Sequence, residues 1–207
     1  MSFVELLIES DRLDHDLSLE LDAALVDDSP RVLIADVACS LALEHWGAVR
    51  ELLSQGLLPS AVVVHRAQFE ALTRSIWLTY AANEAEIAKL EPNLNIESEQ
   101  AVKNLPQVAD MLARLEKRGP PQAHAALTNF KEGAWKALNS YAHAGIHPLR
   151  RHKDGYPAAI LENILKNANG LAVMTCMQAV VLSGEQPRQR RILEIGESHA
   201  YCMPPRL

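Results

Sequence analysis

An all-α fold, a single-domain antiparallel bundle of five to seven helices, is what this sequence predicts. Three observations predict it. Apolar residues recur at three- and four-residue steps along most of the chain, the period of amphipathic helices. Breaks fall at Pro and Gly clusters rather than at the two-residue turns of β-hairpins. Glycine is scarce, with 9 in 207 residues, and apolar residues make up 48% of a chain short enough for one core.

The first predicted helix runs from Ser2 to about Asp27 on Val4, Leu7, Ile8, Leu13, Leu17, Leu21 and Leu25. Ser29-Pro30 supplies a capping residue followed by proline in the first turn. A second helix then carries Val32, Ala35, Cys39, Ala42, Trp46, Val49 and Leu53 to Gln55-Gly56. After Leu57-Leu58-Pro59-Ser60, the third helix, Ala61 to Ala82, is apolar on more than one side and reads as central. Asn83 to Leu90 extends or appends a helix, and Pro92 to Asn95 breaks it. Ser98 to Arg118 follows, with Pro106 early in it, and Gly119-Pro120-Pro121 closes it. The next helix spans Pro121 to His143. Ala144 to Tyr156, rich in Gly, Pro, His and Arg, reads as a loop before a last long helix from Pro157 to Ser183. The expected organisation is a bundle domain over 1–183 and a polar C-terminal tail over 184–207, partly mobile, with a short helix around Arg191–Gly196.

Composition narrows the function. A formal charge of −6 disfavours coating nucleic acid by bulk electrostatics, although local basic patches exist. Cys39, Cys176 and Cys202 form no CxxC pair and read as small hydrophobes and a tail thiol, not as a disulfide framework or zinc knuckle. The N-terminus has no basic region and its apolar run is broken by Glu5 and Glu9; apolar stretches fall short of the roughly 18–20 residues of a membrane span. The expectation is a cytoplasmic protein without a membrane partner. GxSxG, GxGxxG, GxxxxGK and HExxH are absent, so no cofactor is expected.

Two constellations remain. On the third helix, Arg66, Glu70 and Arg74 stand at i, i+4 and i+8 on an otherwise apolar segment. They form one charged row that lines a cleft, anchors another element or simply faces solvent. At the end of the Pro121–His143 helix, Asn139 and His143 share a face, with Tyr141 between them and His147 beyond the break at Gly145. A histidine there serves as a general acid or base, or caps the helix C-terminus. His143, His147 and His152 do not make a metal site, because Gly145 and Pro148 interrupt their helical spacing; no metal is expected. Arg150 and Arg151, with His152 and Lys153, form a basic patch suited to a phosphate.

The run Asn139-x-x-x-His143 near the end of a late helix resembles the RNxxxH motif of the HEPN superfamily, helical domains many of which are metal-independent ribonucleases of toxin and phage-defence systems. The family's arginine would fall at Leu138. The resemblance implies a catalytic His143 oriented by Asn139, with Arg66 or Arg74 replacing the missing arginine and Glu70 in the same cleft. Tyr141, His147, Arg150 and Arg151 would then contact RNA or a nucleotide, and two protomers would pair as a homodimer. Leu138 equally suits a non-catalytic member, a helical interaction module with a protein partner whose charged cluster is structural.

Overall fold

The computed structural model describes residues 2–205, and every regular element among them is helical. In chain order these are α1 (Phe3–Ser18), α2 (Pro30–Ser54), α3 (Leu58–Tyr80), α4 (Glu84–Ile87), α5 (Ile96–Ala101), α6 (Val108–Arg118), α7 (Pro121–Ala142), α8 (Ile146–Asp154), α9 (Ala158–Ser183) and α10 (Gln186–Ser198). Single 3-10 turns follow α5 and α10.

Three long helices make the centre. α2 and α3 form an antiparallel hairpin in which Ser75 Oγ donates to the Ala35 carbonyl at 2.8 Å. The Arg31 guanidinium donates to the Ala82 carbonyl at 3.0 Å, satisfying an acceptor that the end of α3 leaves free. α9 lies parallel to α3: Gln68 Nε2 donates to the Ala168 carbonyl at 2.9 Å, and Gln178 Nε2 to Thr79 Oγ1 at 2.7 Å. α1 and α10 pack on α9, and α6 and α7 pack on α3. α7 runs antiparallel to α3, since Leu127 shares a core with Leu72 and Ile76, whereas Leu138 and Tyr141 share one with Leu58 and Val62.

Buried polar groups lock the layers together. Asn169 on α9 accepts from Ser10 Oγ at 2.7 Å and Trp46 Nε1 at 2.9 Å, and its amide donates to the Cys202 carbonyl at 2.9 Å. One side chain thus joins α1, α2, α9 and the C-terminal segment. Buried amides keep such partners because leaving one unpaired costs about 1–3 kcal/mol. His199 sits between two carboxylates of α1, with Nδ1 2.8 Å from Glu9 and Nε2 2.9 Å from Asp16.

Several boundaries depart from the sequence reading. There are ten helices among the described residues rather than five to seven. The first helix stops at Ser18, not Asp27, and the backbone continues without helix while Val26 N–H donates to the Leu182 carbonyl. Leu21 and Leu25 continue the helical spacing but reach the core from this irregular segment. Ser98–Arg118 is not one helix: Leu105, with ψ 147°, is extended because the ring of Pro106 disfavours helical backbone in the residue before it. Residues expected as a loop form α8, because Gly145 is its N-cap and Pro148 falls in its first turn, where no N–H is needed.

The segment expected as a polar tail is α10 plus a docked turn, with Ile192, Ile195 and Cys202 buried in the same core as α1 and α9. Pro204 lies over Gly170, where a Cβ would meet its ring at 2.8 Å. Met1, Arg206 and Leu207, at the ends of the two expected regions, lie outside the described residues. α2 alone among the described helices is long and apolar enough to cross a membrane by length and composition, contrary to the expectation that no stretch reaches that length; here Ala35, Cys39, Ala42, Trp46 and Val49 of its inner face are core.

Candidate functional site

The two sequence constellations lie on helices that touch, α3 and α7. Their contact centres on aromatic residues: Phe69 packs against Phe130 with centroids 4.6 Å apart and against Trp135 at 5.9 Å. Beside them Arg66 Nε donates to Glu70 Oε1 at 2.9 Å, and the Arg66 guanidinium lies 5.0 Å from the centre of the Trp135 ring. Arg66 is therefore held in place: one partner on its own helix binds Nε and fixes the planar group, which then covers the ring of the next helix. Arg74 makes no hydrogen bond or ion pair among the described residues, and burial pushes its guanidinium below its ordinary pKa while Glu70 opposes the shift.

Beneath this row lies a group the sequence reading did not single out. His65 is buried, its ring edge-on to Phe130 at 5.3 Å, with Nδ1 3.0 Å from Gln68 Oε1. Because the Gln68 amide nitrogen is committed to Ala168, Gln68 presents oxygen to His65, so the proton belongs on Nδ1. Nε2 is left without a partner, and burial lowers the pKa of the ring to about 4. His65 is a neutral core residue. Nothing in its sequence neighbourhood separates it from Arg66 beside it; only the packing of α7 and α9 does.

The second constellation is spread along the end of α7. Tyr141 is buried, Asn139 is half-buried and His143 is exposed; none of the three side chains has a hydrogen bond among the described residues. His143 is the C-cap: its backbone N–H meets the Asn139 carbonyl at 3.1 Å. The turn that follows is a Schellman motif. Gly145 N–H reaches back to the Ser140 carbonyl at 2.6 Å, and Ala144 takes the left-handed position at φ 50° that glycine usually fills. Ser140 Oγ then accepts from His147 N at 3.1 Å, capping the first turn of α8 from the end of α7.

α8 carries His147, Arg150 and Arg151, and these with Ile146 and Asp154 line a shallow open groove. The side chains of His147, Arg150 and Arg151 have no ion pair or hydrogen bond among the described residues. α8 contacts α7 and buries none of its own residues.

The expected residues therefore gather in two places. Arg66, Glu70 and Arg74 lie along the middle and far end of α3; Asn139, Tyr141, His143, His147, Arg150 and Arg151 lie at the α7–α8 end. His143 is eight residues past Trp135, roughly 12 Å further along α7, and Arg74 is roughly 12 Å from Arg66 in the opposite direction. Within one chain the charged row and His143 are thus offset along the helix axes, by roughly 12 Å for Arg66 and more for Arg74. Leu138, where a motif arginine would stand, is 4% exposed and packs in the core with Tyr141. No three His, Cys, Asp or Glu side chains converge as metal ligands among the described residues.

No curated protein and no solved structure matches the chain. A family described as a family of unknown function (DUF6988) matches residues 39–205, from the middle of α2 to the docked C-terminal segment. That match covers most of the chain, including both constellations, and the protein belongs to the DUF6988 family.

Proposed function

We propose that this protein is a non-catalytic helical interaction module, HEPN-like in shape, in which the Arg66–Glu70–Trp135 cluster is a structural brace between α3 and α7. The observation that carries this reading is the placement of Arg66: a guanidinium bonded through Nε to Glu70 and laid over Trp135 joins α3 to α7, as a brace requires. Two further observations support it. Leu138 fills the position of the motif arginine with a core side chain. Arg74, the other substitute, stands roughly 24 Å from His143 along the helix pair, far beyond the reach of hydrogen-bonded catalysis. In this reading the protein acts in the cytoplasm through a protein partner, not through a membrane.

Incubation of total RNA with the wild-type chain and with His143→Ala tests it. The module leaves RNA intact in both reactions. Cleavage by wild type that His143→Ala abolishes would replace this reading with the metal-independent ribonuclease, since Asn139 and His143 do share one face of α7.

A further inference from the structure

We propose that the protein pairs with a second copy of itself side by side and antiparallel, the acidic α5 segment of each protomer seating on the basic α8 of the other. This rests on the interaction-module reading and names its partner.

α5 and α8 both bury no residue of their own within the chain. Helices of this length are marginal in water unless something packs against them. Each also holds large apolar side chains in solvent: Leu94 and Ile96 at the start of α5 are 91% and 71% exposed, and Ile146 and Leu149 on α8 are 67% and 65% exposed. Their charges are opposite. Glu97 and Glu99 lie on α5 with Glu91 just before it, and Arg150, Arg151 and Lys153 lie on α8, offset only by Asp154. Two apolar patches framed by opposite charge are complementary surfaces, with the apolar groups supplying affinity and the charges supplying register.

They cannot meet within one chain. α5 leads into Leu105 and Val108, which pack at the C-terminal end of α3, whereas α8 follows Tyr141, which packs with Leu58 and Val62 at its N-terminal end. The 23 residues of α3 separate those ends by roughly 34 Å. A second copy laid antiparallel alongside the first solves this geometry, because a two-fold axis across the bundle brings α5 against the partner's α8 at both ends at once.

The test is sedimentation of the full chain and of two charge-reversed variants, one with Glu97→Lys and Glu99→Lys, the other with Arg150→Glu and Arg151→Glu. Helical circular dichroism checks that both remain folded, which the exposure of Glu97, Glu99 and Arg150 favours. The native chain is expected to dimerise, and each variant alone to dimerise at least about tenfold more weakly. Mixed in equal amounts, the two variants are expected to form a heterodimer, since one of its contacts pairs the new Lys with the new Glu and the other keeps the native Glu with Arg. A native chain that stays monomeric up to roughly 100 µM overturns the proposal. So does a dimer that neither variant weakens, or a mixture that fails to associate. Binding of RNA or anionic vesicles through Arg150 and Arg151 by a chain that remains monomeric also overturns it, and assigns α8 to that ligand. RNA cleavage tests the module reading separately, so the two failures are distinguishable.

Discussion

Lowering the pH selectively destabilises this fold through His65. The ring is buried, its Nε2 has no partner, and burial holds its pKa at about 4 against an ordinary 6.5. In the unfolded chain the same ring is free to take a proton near its ordinary value. Between those two values the unfolded state binds more protons than the native state, so native stability rises with pH across this window. Its full value is present above pH 6.5 and is lost as the pH falls toward 4. At about 1.4 kcal/mol per unit, a difference of about 2.5 units corresponds to roughly 3 kcal/mol, a large share of the 5–15 kcal/mol typical of a domain. Carboxylates held low in the native state, Asp16 by its hydrogen bond to His199 and Asp27 by its bonds to Ser29, lose their contribution in a lower window. Urea unfolding at intervals from pH 7 to pH 4.5, for the wild type and for His65→Gln, isolates the effect, because glutamine is neutral throughout. The variant carries a constant offset and a slope smaller by up to about 1.4 kcal/mol per pH unit. Equal slopes for the two proteins would refute the assignment of His65 as a buried neutral imidazole.

Three further outcomes follow from the packing. Asn169→Leu strands Ser10, Trp46 Nε1 and the Cys202 carbonyl and is expected to cost about 2–4 kcal/mol in urea unfolding, with α10 and the C-terminal segment losing amide-exchange protection first. Gly145→Ala places a Cβ 2.6 Å from Ser140 Oγ and 3.2 Å from its carbonyl oxygen and is expected to lower stability by about 1–3 kcal/mol; Gly133→Ala, mid-helix on α7 with nothing within 4 Å, is expected to raise it by about 1 kcal/mol. Cys39 and Cys176 are buried, with the Cys39 thiol pushed up to about 12, so both are expected to resist alkylation at pH 8 until the chain is unfolded in denaturant.

The central helices were legible because their signals are local and redundant. Ser29 caps α2 through Val32 N at 3.4 Å as its place before Pro30 suggested, and Gly56 and the Gly119–Pro121 cluster fall where helices end. The misread segments are those whose fate is decided by a distant neighbour. Leu21 and Leu25 keep a helical spacing that Leu182 and the core overrule. Gly145 and Pro148 read as breakers, yet one is a cap and the other sits in a first turn, and the pair starts a helix. In 184–207, Ile192, Ile195 and Cys202 are few among many polar residues, but they suffice because α1 and α9 offer a ready apolar surface. The site shows the same division. Arg66 and Glu70 pair by spacing alone, whereas the role of Trp135 depends on how α7 crosses α3, which no pattern within α7 encodes.

The most direct measurement of the central claim, that Arg66 braces α3 against α7 and does not serve chemistry with His143, is the unfolding free energy of Arg66→Ala beside that of His143→Ala. The ion pair, the stacking on Trp135 and the lost stem contacts together predict a loss of about 1–2 kcal/mol for Arg66→Ala. For the exposed His143→Ala the predicted change is within about 0.5 kcal/mol. An Arg66→Ala protein as stable as wild type would contradict the brace and return Arg66 to the pool of groups held free for a ligand.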